Sequence, residues 1–452
     1  MSLGLEGLPG SGTFAHGVHP PERKNFSSDV PIEVIPAANS VLLPLTQHVG
    51  APCAPIVKAK QAVSYGEMVA NAEAFVSAPI HSPINGKVQK TGVTTLPNGR
   101  HVPAIPIVAE GDQISADQLW EETFGGKWSL NEAAEFAPEK IGAAIRQAGI
   151  VGQGGAAFPT HVKFAKNEKK PIEALLVNGC ECEPYLTTDY RLMLEASEPI
   201  IAGAILAARA VGAETIAIGI EDNKPKAVEA LKAAAAGTAV KVCVIHTKYP
   251  QGSEKQLIKA LVGREVPVGG LPMDVGVAVT NVGTAAAIAG AVLRGKPLTH
   301  RVVCVTGGGI AQPKNLLVPI GIAFGELVAY CGGLKLNAGR LVAGGPMMGF
   351  AFTDLAMPVT KGTSALTVLT TEDVQKADET ACIRCGRCVD ACPMNLVPTK
   401  LALASRHKDL ELAQRYHIMA CFECGCCAYI CPANLPIVQL VRTGKALLMA
   451  KR

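Results

Sequence analysis

The chain has 452 residues, 48% of them apolar and only 4% aromatic, with 46 glycines, fifteen cysteines and a net charge of +4. That length predicts about three domains of roughly 150 residues, and so small a net charge excludes nucleic-acid binding driven by charge alone. In a chain with no export signal, the cysteines point to metal or redox use rather than to disulfides.

The amino terminus, "MSLGLEGLPGSGTFAHGVHPPERK", lacks a basic start followed by an apolar run, so no signal peptide is expected. Thr13–Lys24 is rich in His and Pro. His16 and His19 raise a metal reading, but residues 1–38 are read as a docking arm. Residues 39–112 follow as a small β domain. In it, "FVSAPIHSPINGKVQ" (Phe75–Gln89) resembles the second half of a biotinyl or lipoyl carrier, a barrel-sandwich hybrid. Asn85–Gly86 between apolar strands predicts a hairpin. Such a carrier has its modified lysine where this chain has Phe75, so an unmodified interaction module is expected.

In "EKIGAAIRQAG", Ile141, Ala144, Ile145 and Ala148 recur at helical spacing. The next stretch, "VGQGGAAFPTHVKF", carries Gly152, Gly154 and Ala157 in the order of the dinucleotide fingerprint. Here the loop follows a helix rather than a strand, and Pro159 falls where a Rossmann helix should run. What remains is a glycine-rich loop with free backbone N–H groups and a cation, Lys163. It can cradle a phosphate or a flavin, or be a structural turn.

Ala174–Val177 reads as a buried strand, with Asn178, Glu181 and Glu183 at its carboxyl end, where ligands gather in open α/β sheets. Cys180 and Cys182 flank Glu181 and are expected as buried thiols. Val275–Leu293 runs 19 residues without a charge, but Thr280, Asn281 and Thr284 predict a buried segment rather than a membrane span.

The tail holds one pattern twice. Cys382, Cys385, Cys388, Cys392 and Pro393 read C-x2-C-x2-C-x3-C-P, and so do Cys421, Cys424, Cys427, Cys431 and Pro432. This is the bacterial ferredoxin run for [4Fe–4S] clusters, in which the fourth cysteine serves the other cluster. One cluster is therefore assigned Cys382, Cys385, Cys388 and Cys431, and the other Cys421, Cys424, Cys427 and Cys392. Cys426 is out of register and is expected as a buried thiol. A pair of zinc sites is disfavoured, because zinc motifs set two C-x2-C pairs apart without a third cysteine at the same step. From Lys400 to Arg452 there are eight Lys/Arg against three Asp/Glu, a local charge of +5. That charge is read as solvated helix faces or as a surface for an acidic partner or membrane.

"GQGGAAFPTHVK", "VNGCECEP", "KYPQGSEKQLI" and "TNVGT", in that order, resemble the loops of the FMN- and NADH-binding subunit of respiratory complex I. The resemblance implies that Gly152, Gly154, Gly155, Lys163, Asn178, Glu181, Asn281 and Thr284 contact FMN. It also implies that Phe158, Glu183, Tyr249, Gly252 and Glu254 lie by the nicotinamide nucleotide, with Glu183 as the catalytic-side carboxylate. This chain departs from that family at Cys180, Ser253 and the second cluster motif. With "HPPERK", "RLVAGGPMMGF" (Arg340–Phe350) and the double ferredoxin run added, the whole chain resembles the C subunit of the bacterial Rnf electron-transport complexes.

The resemblance implies a multidomain α/β protein. A barrel-sandwich hybrid (39–112) is followed by a complex-I-flavoprotein-like α/β FMN/NAD domain (113–299). A β-grasp domain (300–352) and a helical ferredoxin-like domain with two [4Fe–4S] clusters (353–452) complete it. It implies a peripheral subunit on the cytoplasmic face of the bacterial membrane, with other Rnf subunits as partners and ferredoxin reached through the complex. The activity implied is an NADH-dependent oxidoreductase that passes electrons between NADH and ferredoxin while the complex moves ions. Competing readings are a soluble flavin and iron–sulfur cobalamin reductase and a non-catalytic electron-transfer adaptor. The related subunit of the quinone-reducing sodium pump, which shares N-terminal domains, is excluded because it lacks the ferredoxin tail.

Overall fold

The apolar runs Val240–Ile245, Thr215–Glu221, Ala174–Asn178 and Val277–Asn281 pair in that order as a four-stranded sheet, parallel throughout. Parallel strands are covered on both faces, which is why these segments carry little alternation. A computed structural model describes residues 4–165, 168–374 and 378–450. In it the helices Ser197–Val211 and Val282–Arg294 pack side by side beneath the sheet. A Cβ on Gly203 would overlap the carbonyl of Ala285, so the helices meet backbone to backbone. This close packing accounts for much of the glycine- and alanine-rich composition. The uncharged stretch from Val275 to Leu293 is the strand Val277–Asn281 running into the helix Val282–Arg294. Among the described residues no helix is long and apolar enough to cross a membrane.

The β-rich region before it forms two sheets. One orders Ser40–Pro44, His101–Ala109, Gly86–Val88 and Ala62–Val63, with Gly92–Thr95 also on His101–Ala109. The other holds Ala54–Pro55, Met68–Asn71 and Ile80–His81. The hairpin predicted at Asn85–Gly86 does not form, because Ile80–His81 and Gly86–Val88 belong to different sheets. Asn85 marks the crossing instead. Its side chain accepts from Tyr65 N (2.8 Å) and donates to the carbonyl of Asp112. Closure of the sandwich decides the strand partners here, and sequence neighbours do not.

A third, mixed sheet orders Ile32–Val34, Lys314–Pro319, His300–Thr306, Ala365–Thr370, Ala338–Ala343 and Phe350–Phe352. The boundary expected at residue 352 therefore falls inside a sheet. Ala365–Thr370 is an interior strand, paired on both edges, and belongs with the β-grasp unit. Ile32–Val34, from the segment read as an arm, closes the far edge. An interior strand must satisfy its backbone on both sides, so spatial neighbours outrank chain order.

The cysteine-rich tail has its own core, built on Leu401, Ile418, Ile437 and Val441. Its two halves repeat one backbone. Arg384 and Glu423, Gly386 and Gly425, and Asn395 and Asn434 are left-handed at matching positions. Short helices Arg387–Asp390 and Cys426–Tyr429 follow the matched glycines. The tail joins the rest of the chain through a small apolar cluster of Val18, Tyr249, Ala391, Cys424 and Cys426.

The first described residues, in the segment read as a docking arm, lie against their own chain. Gly4 and Val244 exchange backbone hydrogen bonds, and Gly10 N and Gly12 N donate to Leu261 and Ala260. Val18 and Tyr249 pair in the same way. His16 Nδ1 donates to the carbonyl of Asp390 at 2.8 Å, which gives this histidine a backbone partner in the tail.

Candidate functional site

Asn178 and Asn281 are register partners at the carboxyl ends of adjacent parallel strands. Asn281 caps the helix Val282–Arg294. Its Oδ1 accepts from Gly283 N (2.9 Å) and Thr284 N (3.3 Å), and its Nδ2 donates to Asp189 Oδ2 (2.7 Å). Thr284 Oγ1 accepts from Gln153 N at 2.9 Å, which hangs the glycine loop on the start of that helix. Beyond this anchor Gly154, Gly155 and Ala156 are exposed, and among the described residues their N–H groups have no partner. A Cβ on Gly154 would stand 3.2 Å from the Asn281 side chain. The loop is thus a shallow concavity of free donors at the end of a parallel sheet, suited to a flavin phosphate or ring edge.

The acidic loop forms the facing wall. Its turn uses left-handed residues at Glu181 (φ 49°) and Tyr185 (φ 70°). The Glu181 carboxylate accepts from Asp189 N (2.7 Å) and Tyr190 N (3.2 Å), at the start of the helix Thr188–Glu195. Asn178 Nδ2 donates to Gly252 O (2.7 Å), and Gly252 N donates to Cys182 Sγ (3.3 Å), so acidic loop and nucleotide loop are tied together. Lys163 and Glu254 form an ion pair across the same region, so two residues expected to touch different ligands meet each other. Phe158 is half-buried, and its carbonyl accepts from Gly152 N.

Two residues expected beside the nicotinamide nucleotide have other partners. The Glu183 carboxylate accepts from Met347 N (3.1 Å) and Met348 N (2.8 Å). Burial pushes its pKa up to about 7 against the pull of those two donors. It holds the "GGPMMGF" turn, and Gly345 leaves no room for a Cβ beside it. Tyr249 is buried, and its hydroxyl donates to the carbonyl of Cys424 at 2.6 Å. The causes differ: the turn at Met347 and Met348 packs on Glu183, whereas the tail docks on Tyr249. Gln251, in the same loop, is fully buried with neither amide atom paired among the described residues. Such an amide costs about 1–3 kcal/mol unless something completes it, as a bound group would.

Cys392, Cys421, Cys424, Cys426 and Cys427 line one enclosed apolar cavity with Leu396, Phe422 and Val441. Cys388 has its pKa raised by burial and by the neighbouring Cys431 and Cys385. The crossed assignment, in which each run lends its fourth cysteine to the other, would group Cys392 with the second run and Cys431 with the first. Soft sulfur donors around an apolar hollow suit an iron–sulfur cluster. Around the enclosed cavity, Glu423 pairs with Arg442 (2.7 Å) and Lys445 (2.8 Å), and Lys445 also donates to the Cys421 carbonyl. Cys426 is fully buried with its thiol toward Tyr249 O (4.0 Å). Cys180 is buried and Cys182 partly so.

Sequence reasoning missed Lys24, Gln153 and Asp189, which tie the loops together. It also missed Arg301 and Lys361, two buried cations behind the glycine loop. Lys361 Nζ donates to Pro79 O (2.6 Å) and Gly149 O (2.7 Å), and Arg301 Nη2 to Gln153 O (3.4 Å). None of them sits in a pattern that spacing could reveal, because each finds its partners far along the chain.

Four family models match. Residues 12–118 match the RnfC barrel sandwich hybrid domain, 145–290 the Nuo51 FMN-binding domain, 302–351 the SLBB domain and 381–435 the 4Fe-4S dicluster domain. The chain is 47% identical to the C subunit of the proton-translocating ferredoxin:NAD(+) oxidoreductase complex of Clostridium ljungdahlii, over 95% of this chain and 93% of that one. It is 42% identical to the C subunit of the Na(+)-translocating ferredoxin:NAD(+) oxidoreductase complex of Acetobacterium woodii, over 98% of each. It is also 42% identical to the C subunit of an ion-translocating oxidoreductase complex of Rhodobacter capsulatus, over 96% and 83%. Among solved structures, an NAD+-reducing [NiFe]-hydrogenase in the H2-reduced state shares the fold. Its TM-score is 0.50 and its identity 22%, over 74% of this chain and 66% of that one.

Proposed function

From a chain that belongs to the C-subunit family of ion-translocating ferredoxin:NAD⁺ oxidoreductase complexes, we propose a specific order of electron carriers. The protein is an oxidoreductase subunit with an FMN-binding domain and a dicluster domain, and it works within a multi-subunit, membrane-associated complex. The proposed order is NADH, FMN, the cluster of Cys421, Cys424, Cys427 and Cys392, and then the cluster of Cys382, Cys385, Cys388 and Cys431. A partner subunit on the way to ferredoxin follows. With FMN bound, the site gains a group that takes a two-electron equivalent from NADH and releases electrons singly.

The residues of the chain bind, orient and seal. The free N–H groups of Gly154, Gly155 and Ala156 would face the flavin, and Asn281 and Thr284 hold that loop in place. Asn178 and Gly252 keep the acidic and nucleotide loops at a fixed separation. No side chain needs to act as a nucleophile. The observation that carries the order is the bond from Tyr249 to Cys424. It seats one cluster loop against the nucleotide loop, while residues 378–387 of the other are exposed throughout. The exposed loop and the basic tail would face the partner, and we propose the cytoplasmic face of the membrane as the side on which the chain sits.

The test is anaerobic purification of the full chain, flavin and iron analysis, and stopped-flow mixing with NADH. The expected result is FMN, about eight irons per chain, and flavin bleaching followed by loss of cluster absorbance. Iron without flavin, with no response to NADH, would leave an electron-transfer adaptor.

A further inference from the structure

We propose that the amino-terminal segment 4–24 is an internal strap that shapes the flavin pocket, with Lys24 at its end as a positioning residue. The inference rests on the FMN reading above and adds a part to that site. The strap crosses from the parallel sheet to the tail and back. It meets the edge strand at Val244 and the nucleotide loop at Tyr249, and Gly17 N donates to the tail at Ala391 O (3.2 Å). A Cβ on Gly10 would overlap the carbonyl of Ala260, and one on Gly17 would stand 2.5 Å from Tyr249 O. The fit is backbone on backbone.

Past the two prolines the strap turns inward. Glu22 O accepts from Tyr185 N at 2.8 Å, and Glu22 Oε1 accepts from Asn223 Nδ2 at 2.9 Å. Lys24 Nζ then donates to three carbonyls of the acidic loop: Leu186 (2.6 Å), Glu181 (2.9 Å) and Glu183 (3.0 Å). An ammonium has three N–H bonds, and all three are used. The closest carboxylate oxygen in an ion pair with it is Glu181 Oε2, at 4.0 Å, and the Lys24 side chain is 13% exposed. The acidic loop is wrapped around this cation, which explains how its left-handed turns at Glu181 and Tyr185 are held.

From there an unbroken series of hydrogen bonds reaches the glycine loop. Glu181 accepts from Asp189 N, Asp189 accepts from Asn281, Asn281 accepts from Thr284 N, and Thr284 accepts from Gln153 N. Both walls of the pocket thus refer back to one lysine on the strap. Removing the ammonium leaves three carbonyls without a donor in a half-buried loop, and hydrogen bonds to a charged donor are the stronger kind.

The experiment uses the full chain with its clusters, as wild type and as Lys24→Met. Hydrogen exchange is read over residues 179–190 without flavin. FMN affinity is read by fluorescence titration, the flavin midpoint potential by redox titration, and iron by analysis. The expected result is at least about tenfold faster exchange confined to 179–190 and at least about tenfold weaker FMN binding. The flavin potential should shift, and iron should stay at the wild-type level. Wild-type exchange, affinity and potential would overturn the proposal. So would loss of iron or of protection along the whole chain, which would make Lys24 a general folding residue. If Lys24→Met does not accumulate, Lys24→Gln is judged by the same readouts. If the wild-type chain holds no FMN, the functional reading fails, and the exchange experiment still decides whether Lys24 holds the loop.

Discussion

The two cysteine loops share spacing, backbone and following helices, yet they live in different surroundings. Gly386 and Gly425 occupy the same left-handed position, at φ 80° and 86°. A Cβ on Gly386 would meet nothing within 4 Å, whereas one on Gly425 would stand 2.7 Å from Met347 O. Cys382 and Cys385 are exposed, while Cys424 is buried beneath Tyr249 and Met347. A local code can therefore specify two equivalent cluster loops and leave their roles open. Docking against the nucleotide loop makes one internal, and its absence leaves the other facing outward.

The largest effects break that equivalence at the ligands. Cys427→Ser should lower iron from about eight to about four per chain and stop NADH from reducing the remaining cluster. Cys385→Ser should lose the same iron while NADH still reduces the cluster that remains. Iron analysis and stopped-flow absorbance read both. Equal behaviour of the two variants would remove the order of carriers.

Acid should separate the body of the chain from the tail. His48 and His81 in the β-rich region and His300 in the mixed sheet are buried outside the tail, and burial is the first cause holding their pKa values down, at about 4, 3 and 3. The unfolded chain protonates these rings near 6.5, and the folded chain does so only near 3–4. Their stabilisation is therefore full above pH 6.5 and is lost as pH falls from there toward 4. Each ring contributes up to about 1.4 kcal/mol per pH unit. The expected outcome is a steep fall in denaturation midpoint below pH 6.5, flattened in His81→Gln. Hydrogen exchange should show the strands around these rings losing protection while the helices of the tail, with their own core, keep theirs.

Alanine at the matched glycines sharpens the comparison. Gly386→Ala should cost about 1–2 kcal/mol, the left-handed penalty alone. Gly425→Ala should cost more, because it adds the clash with Met347, and urea titration measures the difference. The smallest effect on the chain itself is expected from Arg384→Glu with Arg387→Glu, on the exposed loop. Stability, iron and NADH-driven reduction should stay at wild-type levels. The rate of electron transfer to an acidic partner should fall several-fold, with a weaker salt dependence.

The sequence carried the chemistry well. The dicluster domain was legible because the spacing of Cys382–Cys392 and Cys421–Cys431 is a local property. The place of Asn178 at a strand end was legible because the apolar run before it reads as a buried strand. The hairpin at Asn85–Gly86 misled because sandwich closure sends its two flanks to different sheets. Glu183 and Tyr249 drew different partners because the turn at Met347–Met348 packs on the first and the tail on the second.

By itself, then, the sequence determined that the chain carries two equivalent cysteine loops and a glycine-rich loop, since short spacings and turn residues act over a few positions. Only the tertiary structure decided which cluster loop is inner and which faces outward. It also decided that Ala365–Thr370 completes the β-grasp sheet, and that Lys24 sits at the centre of the acidic loop. Those outcomes depend on contacts between residues far apart in the chain, and packing of whole domains sets them.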